Sequence, residues 1–179
     1  GDVYKRQGLL IIVTPQGRTG IKTVLFVTEI VPAFPLKLQS LVTGEPVKSE
    51  IVYYFDQTQG IADLYKPSGP GKYPVLLCRT PYDKTSIASK TGFLDAIKAA
   101  ERGYAIVIQD VRGRFSSEGK FYAFTSEIED GFDSVEWAAS QNWSTGKVGM
   151  FGSSYVGATQ WLAAKAKPPS LIALSLIHI

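Results

Sequence analysis

The chain contains four short apolar runs that do not alternate polar with apolar residues. In chain order they are "VLLC" at 75–78, "AIVI" at 105–108, "VGMF" at 148–151 and "LIAL" at 171–174. A strand with one face in water alternates, so unbroken runs of this length are typical of strands buried on both faces of a parallel sheet. Helix-like segments lie between the runs, as the crossovers of a parallel sheet require.

The first helix-like segment spans 92–103. Its apolar positions fall on one face of a helix, namely Phe93, Leu94, Ile97 and Ala100. Gly103 supplies a stop at the carboxyl end. The last such segment, Tyr155 to Ala166, is apolar on nearly all sides, which predicts a buried central helix.

The middle segment, 125–141, predicts another helix. Its inward stripe consists of Ile128, Phe132, Val135 and Ala139. Thr125 or Ser126 can cap it, and acidic residues crowd the first turns, where the helix dipole favours them.

Upstream of the first run the pattern is β-rich. "VKSEIVYYFD" and "GIADLYKP", with a Gln-Thr-Gln-Gly turn region between them, predict an antiparallel hairpin. A hairpin that leads into a parallel strand–helix series indicates an α/β fold with right-handed crossovers. We assign this domain to 48–175, preceded by an N-terminal arm over 1–47.

Composition excludes several classes of function. The 179 residues carry a net charge of +3 with both signs interspersed, too mild a charge to indicate binding of nucleic acid or an anionic membrane. With one cysteine, Cys78, and one histidine, the chain offers neither an internal disulfide nor a metal site, and nothing in it indicates a cofactor.

Both ends of the chain lie outside the strand–helix pattern. The stretch Thr23–Leu38 carries Glu29 and prolines, so we expect a packed or loosely ordered arm rather than a membrane span or a degraded signal sequence. The tips 1–7 and 175–179 do not continue the patterns beside them. We interpret them as non-native sequence and exclude them from the fold.

The run "VGMFGSSYVGATQWLAA" places a glycine-flanked turn between a buried strand and a helix. This is the context of a nucleophile elbow, in which a serine is lifted clear of the backbone at the start of a helix. Ser154 has Gly152 two residues before it and Gly157 three after it, and both glycines relieve crowding in such a turn.

Two other interpretations of this turn remain open. Serine is a favoured N-cap, so the Gly-Ser-Ser sequence also suits a helix cap without chemistry. "GSSYVGAT" also matches a phosphate-binding loop, except that Ala158 replaces the lysine that neutralises phosphate charge.

A second candidate lies in "CRTPYDK", directly after the first parallel strand. Tyr82 is expected at the same sheet edge as Ser154, where its hydroxyl can donate to a developing oxyanion beside the N–H of Tyr155. An ordinary Pro-Tyr-Asp turn is the alternative. On the loop "QDVRGRFSSEGKFYAF", we expect four charged residues to brace the loop by ion pairs and hydrogen bonds: Asp110, Arg112, Arg114 and Glu118.

Together, "RTPYDK", "GYAIVIQDVRGRFSSEGKF" and "EDGFDSVEWAASQNWSTGKVGMFGSSYVG" resemble the CocE/NonD-type serine hydrolases of the Xaa-Pro dipeptidyl-peptidase-like superfamily. The resemblance covers about 48–175 and keeps the spacing between motifs. It implies an α/β-hydrolase fold, Ser154 as nucleophile, and an oxyanion hole formed by the Tyr155 N–H and the Tyr82 hydroxyl. The family's helical cap and C-terminal jelly-roll-like domain have no counterpart in this sequence.

A serine nucleophile requires a general base and an orienting carboxylate, which in α/β hydrolases follow the serine. After Ser154 the sequence has no Asp or Glu, and its single histidine, His178, lies in the excluded tail. Asp110 cannot serve as the acid without a base. We therefore expect the N-terminal half of a hydrolase domain, nearly inert alone and with an unpaired edge at its last strand.

The expected function is hydrolysis of a small-molecule ester or amide through an acyl-enzyme, with a short peptide as the other substrate class. Two alternatives stay open at this point: an Xaa-Pro dipeptidyl-peptidase and a non-catalytic binding protein of the same fold. The sequence leaves the oligomeric state and the compartment undetermined.

Overall fold

The computed structural model describes residues 8–11, 24–27, 46–55, 58–86 and 94–176. Within these ranges it contains one eight-stranded sheet and three helices of six or more residues. The strands are β1 (Gly8–Ile11), β2 (Val24–Val27), β3 (Val47–Phe55), β4 (Thr58–Lys66), β5 (Tyr73–Thr80), β6 (Ala105–Asp110), β7 (Ser144–Gly152) and β8 (Leu171–Leu176). The helices are α1 (Ala96–Glu101), α2 (Glu127–Ser140) and α3 (Tyr155–Ala166).

Several expectations fall outside the described residues: those for the tip 1–7, most of Thr23–Leu38, Phe93 and His178. Within the described part of the chain, no helix is both long and apolar enough to cross a membrane.

The order of strands across the sheet is β2-β1-β8-β7-β5-β6-β4-β3. β8, β7, β5 and β6 are parallel neighbours and contain the four apolar runs, which confirms the predicted parallel core. From β5 the chain moves to β6 on one side and then returns past β5 to β7 and β8 on the other. The direction thus reverses between β5 and β7, and ligands of open α/β sheets bind at such a switch point, beyond the carboxyl ends of the strands.

The same reversal places the helices on both faces of the sheet. Right-handed crossovers that move in opposite directions lie on opposite faces, so α1 covers one face and α2 and α3 cover the other. The alanines of α1 pack with Leu76, Ile106 and Ile108. Alternate residues of the same strands, such as Leu77 and Val107, pack with α2 and α3. Burial on both faces is the physical reason why the strand sequences do not alternate.

Antiparallel strands flank the parallel core on both sides. The predicted hairpin is confirmed: β3 and β4 pair from Val47↔Lys66 to Phe55↔Thr58, and β4 joins β6. The expectation of an unpaired edge at the last strand is wrong, because β1 pairs with β8 and β2 pairs with β1. β8 also continues through Ser175 and Leu176, which the sequence pattern had excluded.

Two of the helices expose residues that their sequences predicted to be buried. In α1, Ile97 is 47% exposed and three alanines make the contact: Ala96, Ala99 and Ala100. In α3, Trp161 is 48% exposed, so α3 is not buried on all sides. Its buried residues include the polar Thr159 and Gln160, because both bond to backbone carbonyls at the strand ends.

The inward stripe of α2 also differs from the predicted one. Of the four residues expected there, only Val135 is buried. The buried face consists of Glu127, Asp130, Gly131, Ser134, Val135 and Ala138. The helix is rotated because two of its acidic side chains turn inward to meet the buried Arg79 and the partly buried Arg112, and a carboxylate is buried only when it is paired.

Close packing of α2 on α3 depends on Gly131. A Cβ at this position would lie 2.7 Å from the Cβ and 2.9 Å from the Cα of Ala163. We expect Gly131→Ala to destabilise the protein by about 1–3 kcal/mol through overpacking, measured as the free energy of urea unfolding.

Gly157→Ala is the matched control, since its added Cβ would make only ordinary contacts at 3.8 and 3.9 Å. Ala163→Gly should cost less in the Gly131→Ala background than in the wild type, because it removes part of the clash. Equal unfolding free energies for Gly131→Ala and Gly157→Ala would contradict the packing explanation.

Candidate active site

The turn after β7 holds Ser154 in a strained conformation. Its φ is 57° and its ψ is −128°, a combination that costs a residue with a Cβ of the order of 1–3 kcal/mol. Gly152 has a φ of 131°, and a Cβ there would overlap the side chain of Val156. Gly157 has no such role, because a Cβ at that position meets no crowding.

The Ser154 hydroxyl is exposed and makes no capping hydrogen bond to α3, which begins at the next residue. The simple helix-cap interpretation therefore does not describe this side chain. A phosphate-binding loop requires a wide glycine-rich bulge before its helix, whereas only Ser153 and Ser154 separate β7 from α3.

Tyr82 lies beside Ser154. Its hydroxyl oxygen is 3.5 Å from the Ser154 Oγ, and its side chain is 48% exposed. The two residues are 72 positions apart in sequence and meet because they follow the parallel neighbours β5 and β7. Together they occupy the carboxyl edge of the sheet at the switch point.

The Tyr155 side chain is anchored at its hydroxyl and at its ring. The hydroxyl donates to the Glu127 Oε1 at 3.0 Å and accepts from the Phe124 N–H at 3.0 Å. The ring stacks on Phe124 with centroids 4.5 Å apart and meets Tyr82 edge-on at 6.5 Å. Burial, together with the nearby Glu127 carboxylate, raises the pKa of Tyr155 to about 12, so the phenol remains a donor.

A buried ion-pair network supports this anchor. Arg79, at the end of β5, is fully buried; its Nη1 donates to the Glu127 Oε2 at 2.7 Å, and its Nη2 lies 3.9 Å from Asp130. Arg112 donates to both carboxylate oxygens of Asp130. Two positive and two negative groups thus neutralise one another, which makes their burial tolerable.

Arg79 and Glu127 are not among the residues that the sequence pattern singled out. An arginine at the end of an otherwise apolar strand was the available signal, since a charge in that position needs a partner. The sequence could not predict which residue pairs with Arg79, because Glu127 is 48 positions away.

Three of the four charged residues expected to brace the loop after β6 do so through their side chains: Asp110, Arg112 and Arg114. Asp110 accepts from the backbone N–H of Lys84 at 2.8 Å and of Ser116 at 3.3 Å, and its burial raises its pKa. Arg114 donates from Nε to the carbonyl of Pro81 at 3.0 Å.

Glu118 contributes through its backbone, donating to Gln59 and accepting from Gly113. The loop is thus braced against β4 and against the turn that carries Tyr82.

The described residues offer neither a reactive cysteine thiol nor a group of metal ligands. Cys78 is buried among apolar side chains, and burial raises its pKa to about 12, which makes it a poor nucleophile. Among the residues that the structure describes, no three His, Cys, Asp or Glu side chains are grouped so as to hold a metal ion.

Comparison with known proteins identifies the family. The family model of the X-Pro dipeptidyl-peptidase (S15 family) matches residues 57–177. The chain belongs to the S15 family. The resemblance to CocE/NonD-type hydrolases is thereby confirmed, and all three motifs that carried it fall within the matched residues.

Curated and solved relatives agree with this assignment. Cocaine esterase of Rhodococcus sp. (strain MB1 Bresler) is 44% identical over 122 residues, which cover 64% of this chain and 21% of the esterase. A CocE/NonD family hydrolase from Staphylococcus aureus matches with a TM-score of 0.64 and 26% identity, over 72% of this chain and 26% of that one. An α-amino acid ester hydrolase matches with a TM-score of 0.62 and 27% identity, over 80% and 27% of the two chains.

These similarities confirm the predicted α/β-hydrolase fold. Family members are hydrolases, among them esterases and peptidases. The chain spans about a fifth of the length of cocaine esterase and about a quarter of the two solved structures.

The anchor of Tyr155 yields a prediction about stability. Tyr155→Phe removes the donor to the Glu127 carboxylate and the acceptor for the Phe124 N–H, so it should cost about 2 kcal/mol of unfolding free energy at neutral pH. Tyr122→Phe, at a tyrosine that is 64% exposed, should cost no more than about 0.5 kcal/mol.

The sign of the pH dependence follows from the raised pKa. The native phenol titrates at about 12 and the unfolded one at about 10, so the native state binds the extra proton between these values. The stability difference between wild type and Tyr155→Phe should be full below pH 10 and decline as the pH rises toward 12. A difference that stays constant through this window would contradict the proposed anchor.

Proposed function

We propose that the chain carries the nucleophile and oxyanion hole of a serine hydrolase that cleaves ester or amide bonds through an acyl-enzyme. The observation that carries the proposal is the strained Ser154, with its exposed hydroxyl 3.5 Å from that of Tyr82 at the switch point of the sheet. Strained residues of this kind cluster at active sites, because the surrounding structure holds a reactive group where it is needed.

In the proposed reaction the Ser154 Oγ attacks the carbonyl carbon of the substrate and loses its proton to a general base. The carbonyl oxygen becomes an oxyanion that accepts hydrogen bonds from the Tyr155 N–H and the Tyr82 hydroxyl. The leaving alcohol or amine takes the proton from the base as its bond to carbon breaks. Water then attacks the acyl-serine while the same base accepts its proton, and the base passes that proton to the Ser154 Oγ as its bond to the acyl carbon breaks, which releases the acid and restores the free serine.

The start of α3 supports the placement of the oxyanion beside Ser154. The N–H groups in the first turn of a helix have no intrahelical partner, and the helix dipole adds partial positive charge there. At neutral pH the Tyr155 phenol, like that of any tyrosine, is uncharged and adds no negative charge beside the oxyanion.

The base and its orienting carboxylate need separate assignment. No Asp or Glu follows Ser154 among the 179 residues. The proposal assigns both groups to the part of the family's length that these residues do not span.

The substrate class that we propose is an ester of a small carboxylic acid or of an amino acid, supported by the similarity to cocaine esterase and α-amino acid ester hydrolase. The alternative is removal of Xaa-Pro dipeptides, which the description of the matching family supports. The ratio of kcat/KM for a p-nitrophenyl ester to that for Gly-Pro-p-nitroanilide distinguishes the two.

The first test is covalent labelling of the product of the complete reading frame with a fluorophosphonate. We expect labelling of the wild type and its loss in Ser154→Ala, because the probe reacts only with an activated serine. Ser153→Ala, one residue away in the same turn, is the matched control and should label normally. Labelling that persists in Ser154→Ala would refute the assignment, and absence of labelling in the wild type would favour a binding protein of this fold.

The second test concerns Tyr82. Tyr82→Phe should lower kcat for an ester by about 10²–10³-fold, the loss typical of one oxyanion donor, with little change in KM. Tyr122→Phe, on the neighbouring exposed loop, should leave both constants near those of the wild type. A kcat for Tyr82→Phe within about twofold of wild type would remove its hydroxyl from the mechanism.

A further inference from the structure

The peptide that carries Tyr82 is held on both sides. The backbone N–H of Tyr82 donates to the Thr80 Oγ1 at 3.0 Å. On the opposite side of the same peptide plane, the carbonyl of Pro81 accepts from the Arg114 Nε at 3.0 Å. The proline ring fixes its own φ near −65°, so this peptide has little remaining freedom.

The Tyr82 side chain has much less support of its own. It is 48% exposed, and its ring contact within the site is the edge-on approach to Tyr155 at 6.5 Å. The position of its hydroxyl therefore depends on the backbone turn beneath it. The next residue, Asp83, has a φ of 74°, a conformation that persists only where neighbouring contacts hold it.

Arg114 is itself fixed in place. Its guanidinium lies over the rings of Phe115 and Phe121, at 5.0 and 5.2 Å from their centroids. The planar guanidinium suits this setting, because its faces contact aromatic rings while its edge donates hydrogen bonds. A side chain held on its faces in this way directs its Nε at one acceptor.

The hydrogen bond from Arg114 to the Pro81 carbonyl joins two segments that are distant in sequence. Arg114 lies 33 residues after Pro81 and belongs to the loop after β6, whereas Tyr82 follows β5. The same loop is tied to that turn at a second point, since Asp110 accepts from the Lys84 N–H. Asp110 is fully buried and also accepts a hydrogen bond from its own loop, so replacing it would disturb more than the contact with the Tyr82 turn. A substitution of Arg114 is therefore the more specific test.

We propose that Arg114 is a positioning residue for the oxyanion hole: it holds the Pro81 carbonyl, and through it sets where the Tyr82 hydroxyl meets the oxyanion. This inference rests on the proposed function. Arg114 acts through Tyr82 and needs no contact with the substrate. Because the hydrogen bond from Tyr82 is made in the transition state, loss of Arg114 lowers kcat more than it changes KM.

The test is a double-mutant cycle in the product of the complete reading frame, with hydrolysis of a p-nitrophenyl ester as the readout. Arg114→Ala should lower kcat at least about tenfold, since small misplacements of a catalytic group have effects of this size, with KM within about twofold. In the Tyr82→Phe background the same change should lower kcat less than about twofold, because the hydroxyl that Arg114 positions is already absent. A purely structural role would lower kcat by the same factor in both backgrounds.

Arg102→Ala is the matched control. Arg102 caps the carboxyl end of α1, before the amino end of β6 and thus at the opposite edge of the sheet, so its removal should leave kcat unchanged in both backgrounds. If Arg114→Ala does not fold, as judged by its thermal melt, Arg114→Lys takes its place in the cycle. Lysine keeps the charge but lacks the planar fork, so the same coupling is expected with a smaller loss.

The outcomes separate this inference from the proposed function. Ser154-dependent fluorophosphonate labelling combined with equal losses in both backgrounds, or with no loss from Arg114→Ala, overturns the role of Arg114 alone. Absence of Ser154-dependent labelling overturns the proposed function, and the role of Arg114 with it.

Discussion

The buried guanidinium of Arg79 is the constraint on which the arrangement of the site depends. A fully buried charge left unpaired would cost several kcal/mol, so the fold must bring carboxylates to it. Glu127 and Asp130 meet this requirement from one face of α2. The rotation of α2 about its axis is thereby set by charge pairing as well as by apolar contact, which explains why its apolar periodicity predicted the wrong inward stripe.

The same pairing extends to the turn that holds Ser154. Glu127 uses one oxygen for Arg79 and the other for the hydroxyl of Tyr155, the first residue of α3. The end of β5, the start of α2 and the start of α3 are therefore tied together through a single carboxylate. A strained turn needs such support, since its conformational cost must be offset by contacts around it.

Two further polar side chains of α3 bond to the ends of the strands beneath it. Gln160 donates to the carbonyl of Gly152 at 2.9 Å, and Thr159 donates to the carbonyl of Arg79 at 3.2 Å. These bonds join the helix to the carboxyl ends of both β7 and β5, the strands that the candidate nucleophile and Tyr82 follow. The Thr159 hydroxyl and the Gln160 amide NH2 would be unfavourable in an apolar interface, but both donate here to backbone carbonyls that emerge at the strand ends.

The four parallel strands and the turn at Ser154 could be predicted from the sequence because their signals are local. A strand buried on both faces has an unbroken apolar run whatever lies next to it, and the neighbours of Ser154 in the turn single it out as the candidate nucleophile. Which face a helix buries, by contrast, depends on its partners elsewhere in the chain. Ile97 is exposed because α1 packs on the sheet through its alanines. Trp161 is exposed because α3 buries a face that includes the polar residues Thr159 and Gln160. The pairing of β1 with β8 could not be predicted for the same reason, since the partners Leu9 and Leu176 lie 167 positions apart and neither sequence specifies the other.

The sequence by itself determined the class of fold, the family resemblance and the choice of Ser154, Tyr155 and Tyr82 as candidate site residues. Only the tertiary structure decided how those residues are held: the Arg79–Glu127–Tyr155 chain of contacts, and the bond from Arg114 to the turn of Tyr82. The physical reason is that hydrogen bonds and ion pairs between residues tens of positions apart leave no periodic trace in the sequence. They exist only once the strand order brings the carboxyl ends of β5, β6 and β7 to one edge of the sheet.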